Sequence, residues 1–233
     1  MSNTFIDALC QTKNLSNSNF IRVSTNIINI NPVPIYIKPE IDNLSLINDE
    51  FNIISLGMNK EFLYIDKNQD PNKTVGIFMS QNAYVPYNNI LNSKNIYIDE
   101  IKSKILEGIN ELLITIYNLE GEYKYEILNS WIQKYKDGNF LSPHNHISNR
   151  DNITGKKSTI FSIAYYIDDG DPDLKQTYSG CISFINNNEL IHIRPKTGTL
   201  LIWKNDLIHL VNPFYSKSSK ERFLLSANIR VEF

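Results

Sequence analysis

The chain of 233 residues is 42% hydrophobic with a net charge of −2, enough apolar content to bury a core without staples. Near neutrality gives none of the basic field that nucleic acid or an anionic membrane surface attracts, and no apolar run approaches the ~20 residues needed to span a bilayer. Two cysteines, Cys10 and Cys181, cannot build a disulfide framework, and MSNTFIDALC lacks the regions of a secretory signal, so a cytoplasmic protein is expected.

Early in the chain, NPVPIYIKPEI (31–41) reads as an extended segment punctuated by prolines, and FLYIDKNQDPNKTVGIFM (62–79) as two short strands around a DPNK turn. IDEIKSKILEGINELLITIYNLEG (98–121) is the clearest helix. Ile101, Ile105, Ile109, Leu112 and Ile116 recur at three- and four-residue spacing, which makes one face apolar. Asp99 and Glu100 suit its first turn, and Gly121 is expected to end it. Residues 1–121 are therefore expected to support, through a helix near 98–120, a core formed by residues 122–233.

From residue 122 onward the segments are short and β-rich, separated by Gly, Asn, Asp or Pro: YEILNSWIQKY, STIFSIAYYI, GCISFI, ELIHIRP, GTLLIWK, LIHLV and RFLLSANIRVEF. This spacing predicts a mainly β fold, an antiparallel sandwich or jelly roll, rather than alternating β–α units. Period-two alternation puts Trp131, Gln133 and Tyr135 on one face of their strand, and Arg222, Leu224, Ser226 and Asn228 on one face of the last.

The chain has four histidines, two of them in SPHNHIS. In extended backbone His144 and His146 point to the same side, a natural bidentate grip on a transition metal, and His209 on a later strand could complete a facial triad. An H-x-H pair is equally compatible with a satisfied core or surface pair. Arg222, facing an apolar interior, would need an anion, and its planar fork suits a carboxylate. It could equally pair with a protein carboxylate or lie outside the barrel. His192 reads as structural or surface. DDGDPD (168–173) reads as a loop at the barrel mouth, either a solvated turn or an acidic lip for a basic substrate group. SKSSKER (216–222) reads as a solvated loop.

In order, Tyr135, Gly138, His144-x-His146, Tyr165-Tyr166, Gly180, Pro195-x-x-Gly198, His209, Arg222 and Ser226 resemble the pattern of 2-oxoglutarate- and Fe(II)-dependent oxygenases of the prolyl-hydroxylase-like kind. The resemblance covers about residues 128–233. It implies a double-stranded β-helix (jelly roll, cupin-like) holding Fe(II), with His144 and His209 as ligands. Arg222, Ser226 and Tyr166 match the residues that hold the distal carboxylate of 2-oxoglutarate. Tyr135 matches a residue lining the cofactor or substrate side, and Gly198 the turn before the strand leading to the distal histidine. The implied chemistry is oxidative decarboxylation of 2-oxoglutarate by O₂ to succinate and CO₂, coupled to hydroxylation of an aliphatic C–H in a small molecule or peptide.

One departure matters: the usual motif is His-x-Asp/Glu, and His146 stands at the acidic position. His146 is favoured as a third ligand, which makes the iron site one unit more positive. Two other arrangements are open: His146 turned away, leaving a position for water or halide as in a halogenase, or Asp151 supplying the carboxylate. A three-histidine cupin-type dioxygenase that does not use 2-oxoglutarate, and a non-catalytic metal- or ligand-binding barrel, are the competing classes. The sequence sets no oligomeric state.

Overall fold

The computed structural model describes residues 2–7, 27–30, 33–38, 90–92, 96–147, 157–186 and 189–232. Two sheets face each other. The six-stranded sheet runs, in spatial order, β2 (Ile27–Ile30), β3 (Val33–Lys38), β9 (Leu200–Lys204), β6 (Ser158–Asp168), β11 (Arg222–Glu232) and β4 (Lys124–Tyr135). The five-stranded sheet runs β1 (Ser2–Asp7), β8 (Glu189–Arg194), β7 (Ile182–Asn186), β10 (His209–Val211) and β5 (Leu141–His144). From β4 to β11 the chain passes repeatedly between the sheets, the double-stranded β-helix expected from the sequence. Among the described residues all strand pairings are antiparallel except β1 with β8.

Alternation along each strand divides the apolar residues into two cores. On β6, Phe161, Ile163, Tyr165 and Ile167 face a helix, whereas Ala164 and Tyr166 face the other sheet. β11 repeats the division, with Leu225, Ala227, Ile229 and Val231 toward the helix and Leu224 toward the other sheet. The helix is α1 (Ile96–Tyr117). Its stripe of Ile98, Ile101, Ile105, Ile109, Leu112 and Leu113 is fully buried against the six-stranded sheet. Gly108 allows the close approach: a Cβ there would lie 2.7 Å from Ile202 Cδ1 and 2.8 Å from Tyr36 Cε1.

The helix stops four residues before Gly121. Asn118 takes the left-handed conformation (φ 50°), one that asparagine tolerates, and Leu119 N–H donates to the Leu113 carbonyl over the end. Strands before α1 extend both sheets, so the first part of the chain contributes directly to the sandwich. The paired strands expected at 62–79, and Asp151, lie outside the described residues. Among the described residues no helix is long and apolar enough to cross a membrane.

Candidate active site

Among the described residues β5 is an edge strand of its sheet, the kind of strand in which a proline such as Pro143 is tolerated. It ends at His144, paired in register with His209 at the start of β10. His146 follows two residues beyond, tied by its N–H to the Asn205 carbonyl at 2.8 Å. The three rings converge, with centroids 4.3 Å apart for His144–His209, 5.0 Å for His146–His209 and 5.4 Å for His144–His146. One ring nitrogen from each lies within 4.8 Å of the others, a group able to hold a metal ion. Aromatic rings wall the cluster: Trp203 is 4.9 Å from His209, and Trp131 is 5.9 Å from His146.

In every ring Nδ1 is engaged. His144 donates to the Ser142 carbonyl at 2.7 Å and His209 to the Leu207 carbonyl at 3.0 Å, while His146 Nδ1 meets Asn228 Oδ1 at 2.8 Å. That fixes the tautomer and leaves each Nε2 with its lone pair, as a metal ligand requires. Burial lowers the pKa of all three. His146 is pushed down to about 4, by burial first and then by His144, against the Asn228 hydrogen bond. His209 falls well below the usual imidazole range, by burial and then by the other two rings. The triad is neutral at pH 7.

Further along the interior face of β11 is Arg222, with no exposed surface. Its Nε donates to the Asp169 carbonyl at 3.1 Å and its Nη1 to the Gly180 carbonyl. Among the described residues Nη2 is buried with no hydrogen-bond partner. Among the described residues no carboxylate lies within ion-pair distance. The guanidinium rests over Phe214 at 4.7 Å and beside Tyr166 at 5.6 Å. Gly180 (φ +61°) forms the cradle, since a Cβ there would fall 2.4–2.5 Å from the guanidinium atoms. A buried, incompletely paired guanidinium is costly, and a bidentate anion relieves that cost.

Tyr166 and Tyr135 are buried neighbours of Arg222, Tyr135 standing opposite it in register on β4. Burial raises both phenols, Tyr166 to about 12, with Arg222 pulling the other way, so both remain hydrogen-bond donors at neutral pH. Tyr135 Oη bonds Gln133 Oε1 at 3.2 Å. Ser226, buried on the interior face of β11, lies between Arg222 and Asn228.

Other expectations resolve plainly. In DDGDPD the carboxylates of Asp168, Asp169 and Asp173 cap N–H groups within the loop, and its backbone, through the Asp169 carbonyl, supports Arg222. His192 is buried against Ser183 Oγ (2.6 Å) and the Tyr178 ring, away from the triad. The sequence pattern placed Asn228 on the correct face without a role. Ser162, Asn129 and Phe214 were missed, although Ser162 alternates with Ala164 and Tyr166 on β6 and so shares their face.

The 2OG-Fe(II) oxygenase superfamily family model matches residues 130–230. Among solved structures the chain is similar to a prolyl hydroxylase from Trichoplax adhaerens in complex with a hypoxia inducible factor oxygen degradation domain peptide fragment. That likeness has a TM-score of 0.56 and 16% identity over 88% of this chain and 86% of that one. A Pseudomonas putida prolyl-4-hydroxylase gives 0.53 and 9% over 88% and 94%. AviO1 from Streptomyces viridochromogenes gives 0.52 and 9% over 85% and 89%. No curated protein matches the chain. At these identities the likeness to solved structures is one of fold.

Proposed function

We propose, on the premise that residues 130–230 form a domain of the 2OG-Fe(II) oxygenase superfamily, that the protein hydroxylates an aliphatic C–H of an amino acid or protein side chain. It is a 2-oxoglutarate-dependent oxygenase, and its cofactors are Fe(II) and 2-oxoglutarate. Its own residues fit both. Three neutral imidazoles with Nε2 free suit a borderline divalent metal. The buried Arg222 with Nη2 unpaired suits a carboxylate, and this is the observation that carries the proposal. It also disfavours a three-histidine dioxygenase that ignores 2-oxoglutarate, because such an enzyme would leave Arg222 without an anion.

In this account His144, His146 and His209 hold the metal. Arg222 fixes the distal carboxylate of 2-oxoglutarate, with Tyr166 and Ser226 donating hydrogen bonds and Tyr135 lining the pocket. Anchoring the cosubstrate at its far end orients its keto acid toward the histidines, the entropic part of the catalysis. When bound, the iron would let O₂ serve as the oxidant, one oxygen atom entering succinate as 2-oxoglutarate loses CO₂ and the other entering the substrate C–H. Phe184, Trp203, Leu201 and Leu224 keep the interior apolar and exclude water. Residues 122–233 act as the catalytic core, with α1 and the preceding strands as support.

The test is Fe(II)-dependent formation of succinate from 2-oxoglutarate, screened with free amino acids and peptides, and products located as a one-oxygen mass gain. Succinate formation stimulated by a substrate that gains oxygen supports the proposal. Metal binding with no 2-oxoglutarate turnover under any condition would contradict it.

A further inference from the structure

We infer that Asn228 is a positioning residue for the third metal ligand, holding His146 in the tautomer that leaves Nε2 free for the metal. The inference rests on His146 serving as a ligand, as proposed above.

The three histidines are oriented in two different ways. His144 and His209 are each oriented locally, by the carbonyl two residues earlier in their own strand or turn, Ser142 and Leu207. His146 has its partner 82 residues away on the opposite sheet, where Asn228 Oδ1 lies 2.8 Å from its Nδ1. Asn228 is itself held. Its Nδ2 donates to Asn129 Oδ1 at 2.8 Å, which commits the amide nitrogen and turns the oxygen to His146. Ser162 Oγ donates to the same Asn228 Oδ1 at 2.8 Å and lies 2.9 Å from His146 Nδ1.

The backbone contributes to this geometry. Asn228 and Asn129 are opposed in register where β11 and β4 carry a bulge, the next pair being Ile229 with Ile127. Bulges re-aim side chains and recur beside active sites. The result is a pocket that offers an acceptor to position 146 and therefore selects a side chain with a donor on its near side and a lone pair on its far side. Neutral imidazole meets both requirements. A carboxylate, which only accepts, can ligate the metal but has no donor for Asn228 Oδ1. The Asn129–Asn228–Ser162 set thus accounts for histidine at the position where the family motif carries Asp or Glu.

The experiment is Co(II) binding, a redox-stable probe, read as a dissociation constant and a visible ligand-field spectrum. Wild type, Asn228→Ala, Asn228→Asp, His146→Ala and the double variant His146→Ala/Asn228→Ala are compared. Asn228→Ala is expected to weaken Co(II) binding by ~10–100-fold, the usual cost of losing a ligand's supporting partner, and to change the spectrum. Asn228→Asp keeps an oxygen acceptor and restores both. In the His146→Ala background Asn228→Ala adds no further loss. An Asn228→Ala protein with wild-type affinity and spectrum would overturn the inference, as would an equal loss with and without His146. Ser162→Ala, which removes one bond to the same oxygen, should shift the spectrum in the same direction, and an unchanged spectrum there also counts against it. Failure of wild type to bind Co(II) at all would bring down the metal site itself, a result distinct from normal wild-type binding with a silent Asn228.

Discussion

His144 and His209, 65 positions apart in the sequence, stand directly opposite each other on β5 and β10 with ring centroids 4.3 Å apart. Antiparallel pairing makes this contact, so the first half of the proposed metal site is a consequence of strand register. Replacing either by Ala should lower Fe(II) or Co(II) affinity by at least ~100-fold, beyond the loss expected for a supporting residue. His146→Ala should also weaken binding. Titration calorimetry under argon checks all three.

Arg222 and Gly180 form the second relationship. Arg222→Lys keeps a charge and loses the fork, so 2-oxoglutarate binding should weaken by ~2 kcal/mol or more, roughly 30-fold, with metal affinity unchanged. Gly180→Ala should do the same without touching a charge, because its Cβ would displace the guanidinium. The measurement is the 2-oxoglutarate dissociation constant of the metal-loaded protein, with metal affinity as control.

Both tryptophans of the chain, Trp131 and Trp203, flank the triad. Binding of paramagnetic Co(II) should therefore quench most of the tryptophan emission, and diamagnetic Zn(II) much less. Single Trp131→Phe and Trp203→Phe variants would each retain a quenchable signal. Emission unaffected by Co(II) at saturation would place the metal elsewhere.

Gly108 tests the helix–sheet contact. Alanine there gains ~1 kcal/mol of helix propensity but crowds Ile202 and Tyr36, and overpacking typically costs ~1–3 kcal/mol. The crowding should prevail, so Gly108→Ala should lower the unfolding midpoint in urea with little change in the site.

Much of this was legible in the sequence because a strand's two-residue period is local information. It put Arg222, Leu224, Ser226 and Asn228 on one face, and Trp131, Gln133 and Tyr135 on another, as the structure does. The stripe of α1 was equally plain, while its end was not. Gly121 looked like the stop, but Asn118 adopted the left-handed turn earlier. The partners of the site residues were not legible. Asn228 meets His146, and Gly180 meets Arg222, only through register and loop packing across the two sheets, and neither contact leaves a mark in local spacing.

The central claim is that one pocket holds Fe(II) on three histidines and 2-oxoglutarate on Arg222. An anaerobic titration of Fe(II) and 2-oxoglutarate followed by visible absorption tests it most directly. The account predicts a charge-transfer band that needs both components, disappears in His209→Ala and requires far more 2-oxoglutarate in Arg222→Ala. No band in the metal-loaded wild type, or a band whose 2-oxoglutarate dependence is the same in Arg222→Ala, would contradict it.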